Sequence, residues 1–200
     1  MALAGTVGRT RASRWRRGAP GFTMVELMVT VAVLAILVTL AAPSFANLIN
    51  SNRLVGAAND IVAALQVARM EAIRRGQSVV ICPSTDGASC AGANWSRMIV
   101  FSDRNGNRAV NAPQDVVLRD ITLTAAGMQV VPSNSVSGSG WIRFSADGLA
   151  WVGANRSGAI SVCSDRLPDA RNTRDVRIVT SRVSVTTRNG SAACTAPSDN

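Results

Sequence analysis

The sequence predicts an α+β protein: a long N-terminal α-helix, membrane-spanning in its first half, packed on an antiparallel β-sheet head. Three observations predict it. Residues 22–46 carry one charge, Glu26. Apolar side chains then recur at helical spacing as far as Ala72. From residue 77 onward, short β-rich runs alternate with turn residues, and all four cysteines (Cys82, Cys90, Cys163, Cys194) lie there.

The chain of 200 residues is 47% hydrophobic, ample for a core, and fits one domain with an appended segment. It has no histidine, which removes the usual general base near neutral pH and the commonest metal ligand. The net charge of +9 is concentrated at the start. Five of the 21 basic residues, all arginines (Arg9, Arg11, Arg14, Arg16, Arg17), precede Gly21, leaving 16 arginines against 12 acids after it, a net of +4.

The apolar run comes close to the 20 or so residues that cross a bilayer. The five leading arginines place the N-terminus in the cytoplasm and the rest outside. Three kinds of segment fit this pattern. A cleaved signal peptide would end at Ser44-Phe45-Ala46, leaving Asn47 as the new terminus. A plain anchor would stay uncut. Neither accounts for Glu26, since an acid at the centre of a membrane helix costs about 2.5–3.5 kcal/mol and a buried one calls for a partner. A cut between Gly21 and Phe22 supplies that partner. It creates an α-amine that is mostly cationic at neutral pH, four residues from Glu26 on one helical face.

The stretch RRGAPGFTMVELMVTVAVLAILVTLAAPSF resembles the class III signal of type IV pilins and type II secretion pseudopilins. That family has a basic leader ending in glycine, then Phe-Thr-Leu-x-Glu and a long apolar helix. The resemblance implies a leader of residues 1–21, prepilin peptidase cleavage between Gly21 and Phe22, N-methylation of Phe22, and an assembly role for Glu26. It also implies a helix kink at Pro43. Met24 replaces the family's leucine, and the leader is longer than most.

Beyond Pro43, Leu54, Ala58, Ile61, Leu65, Ala68 and Ala72 form one apolar stripe at spacings of three and four. Arg74 and Arg75 suit a helix C-terminus and Gly76 its cap. The strand expectations are 78–82, 97–101, 116–118, 121–123, 128–131, 141–144, 159–163 and 177–185, with 133–140 (SNSVSGSG) a flexible loop and 195–200 a loose tail. The cysteine spacings match no zinc site. An even count beyond an export segment reads as disulfides, with three connectivities open and sequential pairing, Cys82 with Cys90 and Cys163 with Cys194, favoured by the short, turn-rich first loop.

The runs ARMEAIRRGQSVVICPSTDGASC, NWSRMIVFSDRNGN, DVVLRD, IRFSADG and ISVCSD resemble the GspH/FimT group of minor pilins and pseudopilins. This implies a pilin-like fold: residues 22–46 a transmembrane and filament-core helix, 47–76 its amphipathic continuation, and 77–200 a periplasmic β-rich head. The implied role is a structural subunit, not an enzyme, of a type IV pilus or type II secretion pseudopilus. Its partners are other pilins, prepilin peptidase and the inner membrane, and no cofactor is implied.

Two further places have the residue types of a site. Asp103-Arg104-Asn105-Gly106-Asn107 has the look of a calcium loop, but its glycine stands fourth instead of sixth and no glutamate closes it at the twelfth position. The Asn-Gly pair reads instead as a hairpin turn, so no metal is expected. The second place is the set Arg171, Arg174, Arg177, Arg182 and Arg188, which could bind phosphates. Val176 and Ile178 are in opposite phase to Val183 and Val185, so a bulge or turn near Thr180-Ser181 would bring Arg177 and Arg182 to one outward face. Some FimT-type pilins take up DNA through a Gly-Arg-x-Arg motif. The matching Ser181-Arg182-Val183-Ser184 keeps only the first arginine. Trp95, Trp141 and Trp151 read as core residues, although they could stack on bases. No nucleophile elbow, phosphate loop or metal cluster appears, which leaves a secreted enzyme as the weakest reading.

Overall fold

The computed structural model describes residues 21–123, 126–190 and 194–199; residues 1–20, with the five leading arginines, and Asn200 lie outside the described residues. Helix α1 runs from Met24 to Arg75 with Pro43 inside it. The chain divides at that proline into two units, Met1–Ala42 and Pro43–Asn200.

In the first unit, Thr23 stands just before α1, and its Oγ1 accepts the Glu26 N–H at 3.1 Å. A threonine cap with an acid three residues on is a helix-start signature. The rest of this unit is an apolar rod. An 18-residue window reaches a mean hydropathy of 2.5 and none of it is buried. Its hydroxyls are folded back: Thr30 Oγ1 donates to Leu27 O at 2.9 Å and Thr39 Oγ1 to Ile36 O at 2.8 Å. Such bonding hides polar groups in the way an apolar surrounding requires.

In the second unit, the remainder of α1 buries Leu54, Ala57, Ala58, Ile61, Ala64, Leu65, Ala68 and Ala72. Five of these eight are alanines, so the helix backbone lies close to what it packs on. The helix ends in a glycine cap: Gly76 takes φ +64°, its N–H donates to Ile73 O, and Gln77 N–H donates to Ala72 O. Glu71 accepts from Arg74 and Arg75 in the last turn, each at 2.6 Å. Hydrogen bonds from Arg74 and then Arg75 hold the Glu71 carboxyl at about 2, below its ordinary 4.5. A carboxyl with a depressed folded value adds stability above its unfolded value and loses it as the pH falls through the folded one. The last turn of α1 is therefore expected to loosen between about pH 4.5 and 2. Amide exchange at residues 72–75 checks this, and Glu71→Gln removes the pH dependence there.

Two antiparallel sheets complete the unit. The first has the order β3-β2-β1-β5-β6, from β1 (Ser78–Pro83), β2 (Arg97–Asp103), β3 (Val117–Thr122), β5 (Ile142–Phe144) and β6 (Ala150–Trp151). The second has the order β4-β7-β8-β9, from β4 (Met128–Pro132), β7 (Ser157–Ser164), β8 (Thr173–Val179) and β9 (Arg182–Arg188). Strand alternation sorts the first sheet into two buried faces. Val79, Ile81, Met98 and Val100 join the α1 residues, along with Ile160, Val162, Val176 and Ile178 of the second sheet, in one core. Val80, Cys82, Ile99 and Phe101 face the other way and pack with Val110, Val117 and Trp141. Two connections cover that second face, 84–96 and 104–116. Truncating Leu65, which is 1% exposed in the main core, to alanine is expected to cost about 2–5 kcal/mol, read as a lower urea midpoint.

The structure corrects several sequence expectations. Residues 133–140 hold a short helix α2 (Asn134–Ser139), whose Val136 is buried in the main core. Burial of one valine outweighs a serine- and glycine-rich composition. The runs 116–118 and 121–123 are one strand, β3. The run 177–185 is two strands, β8 and β9, folded back at Thr180-Ser181, with Thr180 at φ +55°. Asn105-Gly106 is no tight hairpin turn but part of the longer β2–β3 connection. Residues 195–199 are not loose, as described below. Trp95 is core, whereas Trp141 and Trp151 are half-buried beneath arginines: Arg108 lies 5.0 Å from the Trp141 ring centre, and Arg156 lies 3.6 Å from that of Trp151.

Candidate assembly segment and arginine face

The assembly candidates sit at the start of the apolar rod. Gly21 and Phe22 are exposed and lie ahead of α1, outside any helix or strand, where a protease can reach the peptide bond between them. Glu26 occupies the third helical position. Its backbone N–H is taken by Thr23, while its carboxylate has no hydrogen bond or ion pair among the described residues. Pro43 lies inside α1 at the boundary between the two units.

The four cysteines pair sequentially. Cys82 and Cys90 close the β1–β2 connection with Cα atoms 5.6 Å apart, and Cys163 of β7 joins Cys194 at 5.9 Å. The second bond brings the C-terminal residues onto the second sheet.

Register decides which arginines share a face, because residues paired across antiparallel strands point the same way. Asp175, Arg177 and Val179 pair with Thr186, Ser184 and Arg182, and Thr173 pairs with Arg188. Arg177, Arg182 and Arg188 therefore share the outer face, together with Ser161 and Cys163 of β7. Arg174 pairs with Thr187 and Val162 and lies on the opposite, core-side face. Arg171 lies in a 3-10 turn, Asp169–Arg171, and lines a groove with Asn47, Leu48 and Pro168. The structure thus gathers three of the five arginines.

Two of those three are already engaged. Arg188 Nε donates to Asp175 Oδ2 at 2.8 Å, and the Asp175 side chain is only 7% exposed and also accepts from the Ser161 hydroxyl. Arg188 further donates to Thr195 Oγ1 and Thr195 O, each at 2.9 Å, and Arg177 reaches Ser198 Oγ at 3.5 Å. Asp199 accepts from the Ser135 N–H at 3.2 Å. Residues 194–199 therefore strap the outer face, rooted at Cys163. Arg182 is exposed, and the turn before it is fixed by Arg69, which donates to Ser181 O, and by Ala150 N–H donating to Thr180 O. The strap is the feature that sequence reading missed. Its one local signal was Cys194, five residues before Asp199.

No group of three His, Cys, Asp or Glu side chains is placed to hold a metal among the described residues. A long helix with an exposed apolar first part, and a β-sheet head packed on its second part, define a subunit of the pilin class. The comparisons agree. A family model described as prokaryotic N-terminal methylation motif matches residues 16–42. A second, described as type II transport protein GspH, matches residues 57–184, well over half of the chain. The chain belongs to the GspH family, and it is a minor pilin or pseudopilin subunit that assembles with other pilins. Among solved structures it is similar to the type IV minor pilin FimU of Pseudomonas aeruginosa strain PAO1, at 20% identity and a TM-score of 0.51, covering 73% of this chain and 93% of that one. It is also similar to the minor pseudopilin EpsH of the Vibrio cholerae type 2 secretion system, at 14% identity and a TM-score of 0.43, covering 68% and 97%. The FimU likeness supports the fold. No curated protein matches the chain.

Proposed function

We propose that the chain is made as an inner-membrane precursor with a cytoplasmic leader (1–21), a membrane and filament-core helix (22–46), its amphipathic continuation (47–76) and a periplasmic head (77–200). Prepilin peptidase cuts between Gly21 and Phe22, and Phe22 is then N-methylated. The product enters a type IV pilus or a type II secretion pseudopilus, where its role is structural and not catalytic. One observation carries this reading. The first part of α1 leaves a whole apolar window unburied, while the head satisfies its own core. Such a surface needs an apolar cover from outside the chain, first the bilayer and then neighbouring helices. Glu26, with its carboxylate unpartnered among the described residues, neutralises the terminal amine of an adjacent subunit and sets its register.

N-terminal sequencing and mass spectrometry of the protein recovered from cells test the route. A terminus at Phe22 carrying one added methyl supports it. A terminus at Asn47, or an uncut chain, overturns it.

A further inference from the structure

We propose that the β2–β3 connection is a calcium site, with Asp103 and Asp115 as its charged ligands. The observation that carries it is an orphaned oxygen. Asp103 ends β2 and is 1% exposed. Its Oδ2 accepts the Arg108 N–H at 3.1 Å, which turns the carboxylate into the loop. Its Oδ1 is buried with no hydrogen-bond partner. Buried polar atoms in folded proteins are rarely left unpaired, and one that is calls for an explanation. Asp115, at the far end of the loop, is 4% exposed and accepts Arg104 N–H at 2.9 Å and Asn111 N–H at 3.0 Å. Neither carboxylate forms an ion pair among the described residues. Two buried acids thus face one loop without a cation.

The spacing suits calcium better than the sequence alone suggested. Counting Asp103 as the first position, Asn105 and Asn107 stand third and fifth, the Ala109 carbonyl is seventh, and Asn111 is ninth. These are the ligand positions of a helix-loop-helix calcium loop. Glycine is missing from the sixth position, but Arg108, which occupies it, takes the left-handed conformation at φ +63°, and its guanidinium is drawn away over Trp141. Asp115, at the thirteenth, stands where the closing glutamate would come one residue earlier. The Asn105 and Asn107 amides both converge on Asn111 Oδ1, at 3.1 and 2.6 Å. Their Oδ1 atoms each accept the backbone N–H two residues on, Asn107 N–H at 3.1 Å and Ala109 N–H at 2.9 Å, which leaves each oxygen a second lone pair for a cation. Carboxylate, amide and carbonyl oxygens together approach the 6 to 8 that calcium accepts, in a flexible geometry that magnesium tolerates poorly. Val110, packed on the second core, fixes the loop to the head. A plain asparagine-rich turn gives no reason to bury Asp103 with an unpaired oxygen. With only two charged ligands, the affinity belongs to the weak, extracellular range, a dissociation constant of about 10⁻⁴–10⁻³ M.

The test uses the full chain in detergent micelles, stripped with a chelator and titrated with calcium chloride by calorimetry, with magnesium chloride as the control. The expected result is saturable binding in that range, a raised Tm with calcium, and a far smaller response to magnesium. Asp115→Asn and Asp103→Asn are expected to weaken binding at least roughly tenfold, and Asn105→Asp, which adds a ligand charge at an exposed position, to tighten it roughly tenfold. No heat and no Tm change up to about 10 mM calcium, well above the extracellular range, overturns the site. So does calcium binding that all three substitutions leave unchanged. If the acid variants fail to fold, Asn105→Asp decides alone: tighter binding supports the site and unchanged affinity overturns it.

Discussion

Glu26→Ala is expected to leave the precursor cut between Gly21 and Phe22 while the subunit drops out of the filament. Two accounts of Glu26 differ in size. As an acid in the first turn of α1, beneath the Thr23 cap, it stabilises the helix start by about 0.3–1 kcal/mol. Its loss on that account lowers incorporation less than about sixfold. As the partner of a neighbouring amine in an apolar filament core, its removal leaves an unpaired buried charge, at about 3–5 kcal/mol. Incorporation then falls by roughly two orders of magnitude or more. Quantifying the subunit in sheared filaments against the cleaved membrane pool separates the two. Glu26→Gln keeps the shape without the charge and is expected to fail almost as completely. Normal incorporation of either variant would remove the pairing role.

The second large effect is expected at the disulfides. Joining Cys163 to Cys194, at a sequence separation of 31, stabilises the chain by roughly 3–4 kcal/mol if loop entropy dominates. The Cys82–Cys90 bond, at a separation of 8, contributes roughly 2–3 kcal/mol on the same basis. Urea unfolding of the two paired serine variants is therefore expected to lower the midpoint more for Cys163→Ser with Cys194→Ser. The reverse order would assign the stabilisation to the covered second core beneath the short loop, and not to chain entropy.

What the sequence made legible follows the range of the forces involved. The stripe from Leu54 to Ala72 and the Gly76 cap depend on residues three to five apart, and the structure has them. The opposed phases of Val176 and Val183 marked a break at Thr180-Ser181. Periodicity alone does not separate a bulge from a fold-back, and pairing of Val176 with Val185 makes it a fold-back. The neighbour relation of β1 and β5, whose paired residues are 61 to 65 apart in the chain, left no local trace. Helix α2 was hidden for a similar reason, because its stability comes from where Val136 lands. In the β2–β3 loop, the acid and amide spacing was visible. The left-handed turn at Arg108 was not, since residue type predicts that conformation reliably only for glycine.

The C-terminal strap makes the outer arginines a question of competition. A segment tied to Cys163 a few residues from its contacts faces Arg188 and Arg177 at an effective concentration in the millimolar range. Any anion arriving from solution must first displace a ligand the protein always carries. A single phosphate or acidic side chain, binding no more tightly than about a millimolar, is outcompeted before it arrives. A polyvalent anion, whose many weak contacts count together, would be needed to prise residues 194–199 away, and Arg182 is the exposed arginine of this face.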